Sequence, residues 1–239
     1  MSVLNHLVKS DHSDRIYLIS MPSYKETFLQ AALDAEALKF GTFTLKSGRI
    51  SPYFFNMGLF STAKTLSTLG ESYARAIVES GIEFDILFGP AYKGIPLAAI
   101  TVTKLYEIGG AKYANIGYSF NRKEKKDHGE GGSIVGCNMK GKKILIIDDV
   151  MTAGTAINEA FGIISAEGGN AVGCIIALDR METTKDSNDS ATNIVAKRYG
   201  VPVFSIVCFD DIIEVLKDQL SEEQMEKINE YRKQYVPAK

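Results

Sequence analysis

No continuous apolar run in the chain approaches the roughly 18 residues of a membrane-spanning helix. The first twenty residues carry His6, Lys9, Asp11, His12, Asp14 and Arg15, and so lack the apolar segment of a secretory signal. Cysteine is scarce: Cys137, Cys174 and Cys208 stand far apart, and no Cys-x-x-Cys pair exists. This argues against a zinc ribbon or a dithiol redox site. Cys174 and Cys208 lie in apolar runs and read as small core hydrophobes. An odd, scattered count fits a reducing compartment, and a cytoplasmic location is the default expectation. Excess charge of one sign is also missing, since 27 Lys+Arg face 29 Asp+Glu for a net charge of −2. Such a balance gives no bulk attraction to nucleic acid or to an anionic membrane, and neither is expected as a partner. Any affinity for anions must come from local placement of charge.

The 239 residues are 45% hydrophobic and 23% charged, the proportions of an ordinary globular chain. Ser23-x-x-Glu26 is a capping-box pattern. It predicts a helix with Phe28, Ala31, Ala32, Ala35 and Leu38 on one face, ending near Gly41. Residues 42–60 read as short strands with a turn at Ser47-Gly48, and residues 63–80 as a helix. Apolar strands at 84–89, 113–120, 143–149, 172–180 and 203–209 then alternate with helix-like segments. Strands that are apolar at every position are buried on both faces. Their alternation with helices predicts an α/β fold, an open and mainly parallel sheet flanked by helices. The expected organisation is an N-terminal tail (1–20) and one domain (21–239). Its core spans about 80–210, a small N-terminal hood layer is built from about 21–60, and a C-terminal helix capped by Ser221 packs outside.

The most informative segment is Ile144–Ala156, ILIIDDVMTAGTA. An apolar strand runs out into Asp148 and Asp149, and a turn of small residues leads into a helix. Ligands of open α/β sheets bind at the carboxyl ends of strands. The unpaired N–H groups at the helix start make a phosphate cradle, Gly154 permits unusual backbone angles, and Thr152 and Thr155 add hydroxyl donors. The carboxylates can accept hydrogen bonds from sugar hydroxyls or orient a hydrated Mg²⁺. Alone, Asp-Asp would be a solvated strand end and Thr155 a helix cap; here the local signals agree on one ligand type. No Gly-x-x-x-x-Gly-Lys-Ser/Thr occurs, nor a Gly-x-Gly-x-x-Gly after a strand, so nucleoside triphosphate hydrolysis and dinucleotide chemistry lose support.

Asn121–Ser133, NRKEKKDHGEGGS, collects Arg122, Lys123, Lys125, Lys126 and His128 with three glycines. It is either a solvated insertion or a lid that orders on a strongly anionic ligand. Phe88–Ile95, FGPAYKGI, is a second strand end followed by a tight turn, where backbone amides and Lys93 can hold another phosphate. Lys46-Ser47-Gly48-Arg49 precedes Tyr53-Phe54-Phe55. Arg180 ends the strand at 172–180, where it can pair with a carboxylate.

IIDDVMTAGTA resembles the phosphoribosyl-pyrophosphate (PRPP) signature of type I phosphoribosyltransferases. Together with LKSGRISPYFFN, FGPAYKGIPLA, FNRKEKKDHGEGG and ALDR, it resembles one branch of them, the monofunctional fungal and bacterial orotate phosphoribosyltransferases. The likeness runs through about 22–236 in order. It implies the type I phosphoribosyltransferase fold and transfer of the 5-phosphoribosyl group of PRPP to orotate with Mg²⁺. The products are orotidine 5′-phosphate and pyrophosphate, made on the route to UMP. The metal would be held mainly by PRPP, with Asp148 and Asp149 in or near its shell. The implied PRPP contacts are Lys46, Tyr92, Lys93, Arg122, Lys123, Lys126, His128, Asp148 and Asp149, with Val150, Met151, Thr152, Ala153, Gly154, Thr155 and Ala156 around the 5-phosphate. Tyr92 and Lys93 fall in a loop where the family carries a non-proline cis peptide. The implied catalytic groups are Lys126, Arg122, His128, Asp148 and Asp149; Phe54, Phe55, Thr152 and Arg180 would hold orotate. In the family the lid, here 121–133, completes the partner's site, which implies a homodimer. A transferase for another base and a PRPP-sensing module without turnover are the alternatives.

Overall fold

The computed structural model describes residues 22–45, 47–126, 132–151, 154–184 and 186–237. The expected tail, 1–20, lies outside them. Helix α1 (Tyr24–Asp34) opens with the expected capping box: Ser23 Oγ accepts from the Glu26 amide at 3.2 Å, and Glu26 Oε2 accepts from the Ser23 amide at 2.6 Å. The helix ends sooner than its apolar spacing suggested. Glu36 takes a left-handed conformation (φ 54°), and Leu38 instead begins strand β1 (Leu38–Thr44). Leu38 is buried all the same, so the spacing located the core while missing the element. Strand β2 (Ile50–Phe55) returns antiparallel to β1, with Leu38 opposite Phe55 and Thr44 opposite Ile50. Between them Gly48 sits at φ 85°, at the expected turn. Helix α2 (Ala63–Ser80) follows, capped by Thr62 and ended by left-handed Gly81.

The central sheet is built from β3 (Ile86–Phe88), β4 (Gly117–Lys126), β5 (Gly132–Gly136), β6 (Lys143–Val150), β7 (Asn170–Asp179) and β10 (Val203–Cys208). Helices α3 (Gly94–Gly109), α4 (Thr155–Ala166) and α5 (Ala191–Tyr199) connect its strands. The short hairpin β8 (Thr183–Thr184) and β9 (Ser187–Ser190) precedes α5, while α6 (Phe209–Leu216) and α7 (Glu222–Tyr235) end the described chain. The spatial order is β10-β7-β6-β3-β4-β5, and every pairing is parallel except β4 with β5. This is the expected open, mainly parallel sheet flanked by helices.

Period-two alternation divides each buried strand between two cores. Leu145, Ile147, Ile175, Ala177 and Leu87 join the cluster containing residues of α1, α2, α6 and α7. Ile144, Ile146, Cys174, Ile176, Ile86 and Phe88 join the cluster on the opposite face, with residues of α4 and α5. That double covering is why these strands read as unbroken apolar runs.

The segment 121–133, read from sequence as a loop, is largely strand in its described part. Residues 121–126 continue β4 and residues 132–133 open β5, with Asn121 opposite Ile134 and Lys126 opposite Gly132. A run without large apolar residues gives no periodic signal, yet cross-strand backbone pairing does not need one.

From β3 the chain proceeds to β4 and β5 on one side, and from β6 to β7 and β10 on the other. The order reverses between β3 and β6, which opens a crevice at their carboxyl ends. Close backbone approach sets the crevice floor: a Cβ on Gly89 would overlap the Gly94 carbonyl oxygen, and one on Gly94 would stand 2.6 Å from the Gly89 carbonyl carbon. Gly162, on the exposed side of α4, has open space around it. Gly94→Ala is therefore expected to cost about 2 kcal/mol or more, whereas Gly162→Ala should gain about 0.5–1 kcal/mol. Urea unfolding of both variants checks the pair, and equal effects at the two positions would refute it.

Candidate active site

Strand β6 delivers Asp148 and Asp149 to the crevice, each only 8% exposed. The Asp149 amide donates to Asp148 Oδ1 at 2.9 Å, and the Val150 amide to Asp149 Oδ1 at 2.8 Å. From beneath, the buried Tyr73 hydroxyl on α2 donates to the Asp148 carbonyl oxygen at 2.8 Å. Lys93 Nζ reaches across from the loop after β3 and meets Asp149 Oδ2 at 2.5 Å. The two strand-end segments chosen from sequence are thus joined directly. Burial pushes the Asp148 carboxyl up to about 6, aided by the neighbouring Asp149 charge; the Asp149 amide and Lys93 oppose this.

The loop after β3 carries a cis peptide between Ala91 and Tyr92, in the segment where the resemblance placed one. The Ala91 amide donates to Asn121 Oδ1 on β4 at 2.8 Å, while Tyr92 is 72% exposed. On the other side of the carboxylates, Gly154 adopts φ 70° as N-cap of α4 and brings no side-chain cap. The first-turn amides at Thr155 and Ala156 therefore precede any intrahelical acceptor, and their residues are exposed. Val150 is half-buried and Met151 buried. Lys123 Nζ reaches Glu159 Oε1 on α4 at 3.5 Å, which brings the β4 extension beside that helix. Arg122 is half-buried on β4. Lys46, His128, Thr152, Ala153 and the side chain of Lys126 lie outside the described residues.

The hood residues divide by strand alternation. Phe54 is 40% exposed and stacks on Phe43 at 5.6 Å, whereas Phe55 turns inward toward Phe28 at 6.2 Å. Arg180 does not stand alone at the end of β7. Its Nε donates to Glu182 Oε1 at 2.7 Å, and its Nη2 approaches the same oxygen at 2.6 Å and Ser51 Oγ at 3.4 Å. Sequence reasoning gave no role to four residues that the structure places around these groups: Tyr73, Asn121, Glu182 and Arg49. Tyr73 is hidden in the apolar face of α2, and Asn121 in a charged run. Only their contacts through space identify them.

Among the described residues no group of three or more His, Cys, Asp or Glu side chains could hold a metal ion. Asp148 and Asp149 nevertheless suit a hydrated Mg²⁺ carried largely by phosphate oxygens, because a buried carboxyl with a raised pKa gains most from an added cation. No described helix is long and apolar enough to cross a membrane.

Residues 63–211 match the family described as a phosphoribosyl transferase domain. The fold and the strand-end site thus define the class, a phosphoribosyltransferase. Over 217 residues the chain is 59% identical to an orotate phosphoribosyltransferase of Yarrowia lipolytica, covering 91% of this chain and 99% of that one. It is 56% identical over 219 residues to orotate phosphoribosyltransferase 2 of Saccharomyces cerevisiae, covering 90% and 96%. A crystal structure of orotate phosphoribosyltransferase from Francisella tularensis shares the fold with a TM-score of 0.79 at 44% identity, over 87% of this chain and 98% of that one. The chain belongs to the orotate phosphoribosyltransferase family.

The raised pKa of Asp148 has a thermodynamic consequence. A carboxyl that binds its proton more tightly when folded leaves stability intact below its ordinary value near 3.8. Stability is then lost as pH rises through about 6. Asp148→Asn is expected to stabilise the metal-free, substrate-free protein at pH 8 by up to about 3 kcal/mol. The gain should fade toward pH 4. Chemical denaturation at the two pH values measures it; a variant no more stable than wild type at pH 8 would contradict the burial argument.

Proposed function

We propose that the protein transfers the 5-phosphoribosyl group from PRPP to orotate, yielding orotidine 5′-phosphate and pyrophosphate in pyrimidine (UMP) biosynthesis. The observation that carries this reading is the Lys93–Asp149 contact beside Asp148, with the open N-terminus of α4 on the far side. A cation, a carboxylate pair and a row of amides stand in one crevice. That is the sequence of groups that pyrophosphate, ribose hydroxyls and 5-phosphate require. The family of the relatives supports the same substrates.

In this reading Val150, Met151, Thr152, Ala153, Gly154, Thr155 and Ala156 surround the 5-phosphate, which the α4 amides receive. Asp148 and Asp149 accept from the ribose hydroxyls. Mg²⁺, held mainly by PRPP with these carboxylates in or near its shell, supplies positive charge to the leaving group when bound. Lys93 exchanges Asp149 for pyrophosphate, with Tyr92 and Lys46 beside it. Asp149 is then released toward the sugar at the moment the sugar arrives.

Bond breaking ahead of bond making leaves positive charge on the ribose and negative charge on the departing pyrophosphate. Cations placed where that negative charge develops lower the barrier. Arg122, Lys123, Lys126 and His128 supply them from the β4–β5 hairpin, with Lys126 as the principal group. Covering the site also keeps water from the activated sugar. As the orotate nitrogen forms its bond to the sugar it gives up its N–H proton, which in this reading passes to the departing pyrophosphate or to solvent rather than to a protein base. The orotate carboxylate pairs with Arg180, and Phe54, Phe55 and Thr152 complete its pocket. The hairpin is read as serving the site of a second copy, so the working unit is a homodimer, placed in the cytoplasm. Residues 21–239 are read as one catalytic unit.

Loss of orotate absorbance with PRPP and Mg²⁺ tests the reaction, with uracil, adenine and hypoxanthine as controls. Turnover with orotate alone is expected; turnover with no base favours a PRPP sensor. Lys126→Ala should lower the turnover number about 100-fold or more without unfolding the protein, and near-normal turnover would remove Lys126 from its role. Subunit exchange between Lys126→Ala and Asp148→Asn/Asp149→Asn proteins should restore activity if the hairpin acts across the dimer. No recovery after verified exchange would place the hairpin in its own subunit's site.

A further inference from the structure

Glu182 stands where three parts of the molecule meet. It follows β7 and receives Arg180 through Nε and Nη2 on Oε1. The same oxygen accepts from the Tyr231 hydroxyl of α7 at 2.8 Å, and Oε2 lies 3.6 Å from Nη1 of Arg49, just before β2. The cluster is mostly buried: side-chain exposure is 12% for Arg180, 14% for Glu182 and 16% for Arg49. Both guanidinium groups also lie over rings, Arg180 at 4.9 Å from Tyr53 and Arg49 at 4.6 Å from Tyr235. Asp179, the nearest other carboxylate in sequence, is turned away: it accepts from the Met181 amide and the Thr192 hydroxyl.

Two guanidinium charges therefore share one carboxylate, and among the described residues no second carboxylate is paired with either. Glu182 and Ser51 take Nε and Nη2 of Arg180, the Tyr231 hydroxyl also interacts with the guanidinium, and Nη1 makes no hydrogen bond within 3.5 Å among the described residues. Beneath the guanidinium, the buried Tyr53 hydroxyl also has no partner among the described residues. A fork held by one edge presents the other edge in a fixed direction.

We propose that Glu182 is a positioning residue for the acceptor site: braced by Arg49 and by Tyr231 of the C-terminal helix, it fixes Arg180 so that Nη1 meets the carboxylate of the substrate as the cluster's second anion. This rests on the reading of Arg180 as the partner of orotate. It also gives α7 a function beyond covering the hood.

The test separates geometry from charge. Glu182→Asp keeps the charge count but shortens the reach, so one carboxylate can no longer hold both arginines and Tyr231. The KM for orotate is expected to rise about tenfold. The KM for PRPP and the turnover number should stay within about twofold. Tyr231→Phe removes one hydrogen bond to Glu182 and should raise the orotate KM about threefold. In an Arg180→Ala background, Glu182→Asp should add no further rise, because the group it positions is gone. An orotate KM within about twofold of wild type in Glu182→Asp overturns the proposal, as does an equal rise in the Arg180→Ala background. If Glu182→Asp does not fold, Tyr231→Phe decides by the same split, and an unchanged orotate KM there overturns it. Failure of the underlying reading looks different: the unaltered protein turns over no orotate, or Arg180→Ala leaves the orotate KM unchanged.

Discussion

A carboxylate pair at the end of a fully apolar strand is the constraint around which the rest is arranged. Ile144 to Ile147 must be buried on both faces, and that drives β6 to the middle of the sheet. Once there, the strand carries Asp148 and Asp149 into a place where charge is expensive to hold. The nearby fold supplies partial relief: the Asp149 and Val150 amides, and Lys93 on Asp149. The relief is incomplete at Asp148, whose carboxyl remains shifted to about 6. A site that leaves one buried carboxyl undercompensated is prepared for a cation or for hydroxyl donors brought by a ligand.

Topology makes that preparation local. The order of strands reverses between β3 and β6, so the loops after these two strands face one another. Gly89 and Gly94 let the first of these loops fold back on itself, and Asn121 on β4 ties the Ala91 amide. The result is that Lys93, from one side of the reversal, stands on Asp149, from the other. In the proposed reaction this contact is the resting state of two groups that later serve the pyrophosphate and the ribose of PRPP. Their mutual pairing limits the cost of each before the ligand binds.

The buried strands β3, β6, β7 and β10 were legible in the sequence because both faces of the sheet are covered there. Unbroken apolar runs are then the expected pattern, and the helix caps at Ser23 and Ser221 were equally plain. The crevice segments were legible because Asp148-Asp149 and Lys93 sit at abrupt transitions from apolar strand to small-residue turn. Other features were not. The end of α1 was lost because Leu38 satisfies helical spacing while belonging to β1; the deciding element, a left-handed Glu36, has no periodic signature. The strand character of 121–126 was lost because it arises from backbone pairing with β5, which charged side chains neither promote nor report. Tyr73 and Glu182 escaped for a third reason. Each acts across long sequence separation, on Asp148 and on Arg49 and Tyr231, and single-sequence spacing carries no record of such pairs.

The two ends of the proposed reaction are built by different physics. At the PRPP end, the groups taken to hold the 5-phosphate and the ribose are backbone amides and carboxylates at strand and helix termini, positioned by the sheet itself. Their geometry follows from the core and survives wherever the core packs. At the orotate end, the binding group is a long, flexible guanidinium whose direction the sheet does not determine. Arg180 has rotamer freedom to lose, and it is held only because Glu182, Ser51 and the Tyr53 ring surround it. Those neighbours come from the end of β7, the hood strand β2 and, through Tyr231, the C-terminal helix. In the proposed reaction, recognition of the acceptor thus depends on the outer layers of the molecule, and the hold on the phosphosugar on its centre. Substitutions in α7 should accordingly shift acceptor recognition before they touch PRPP binding.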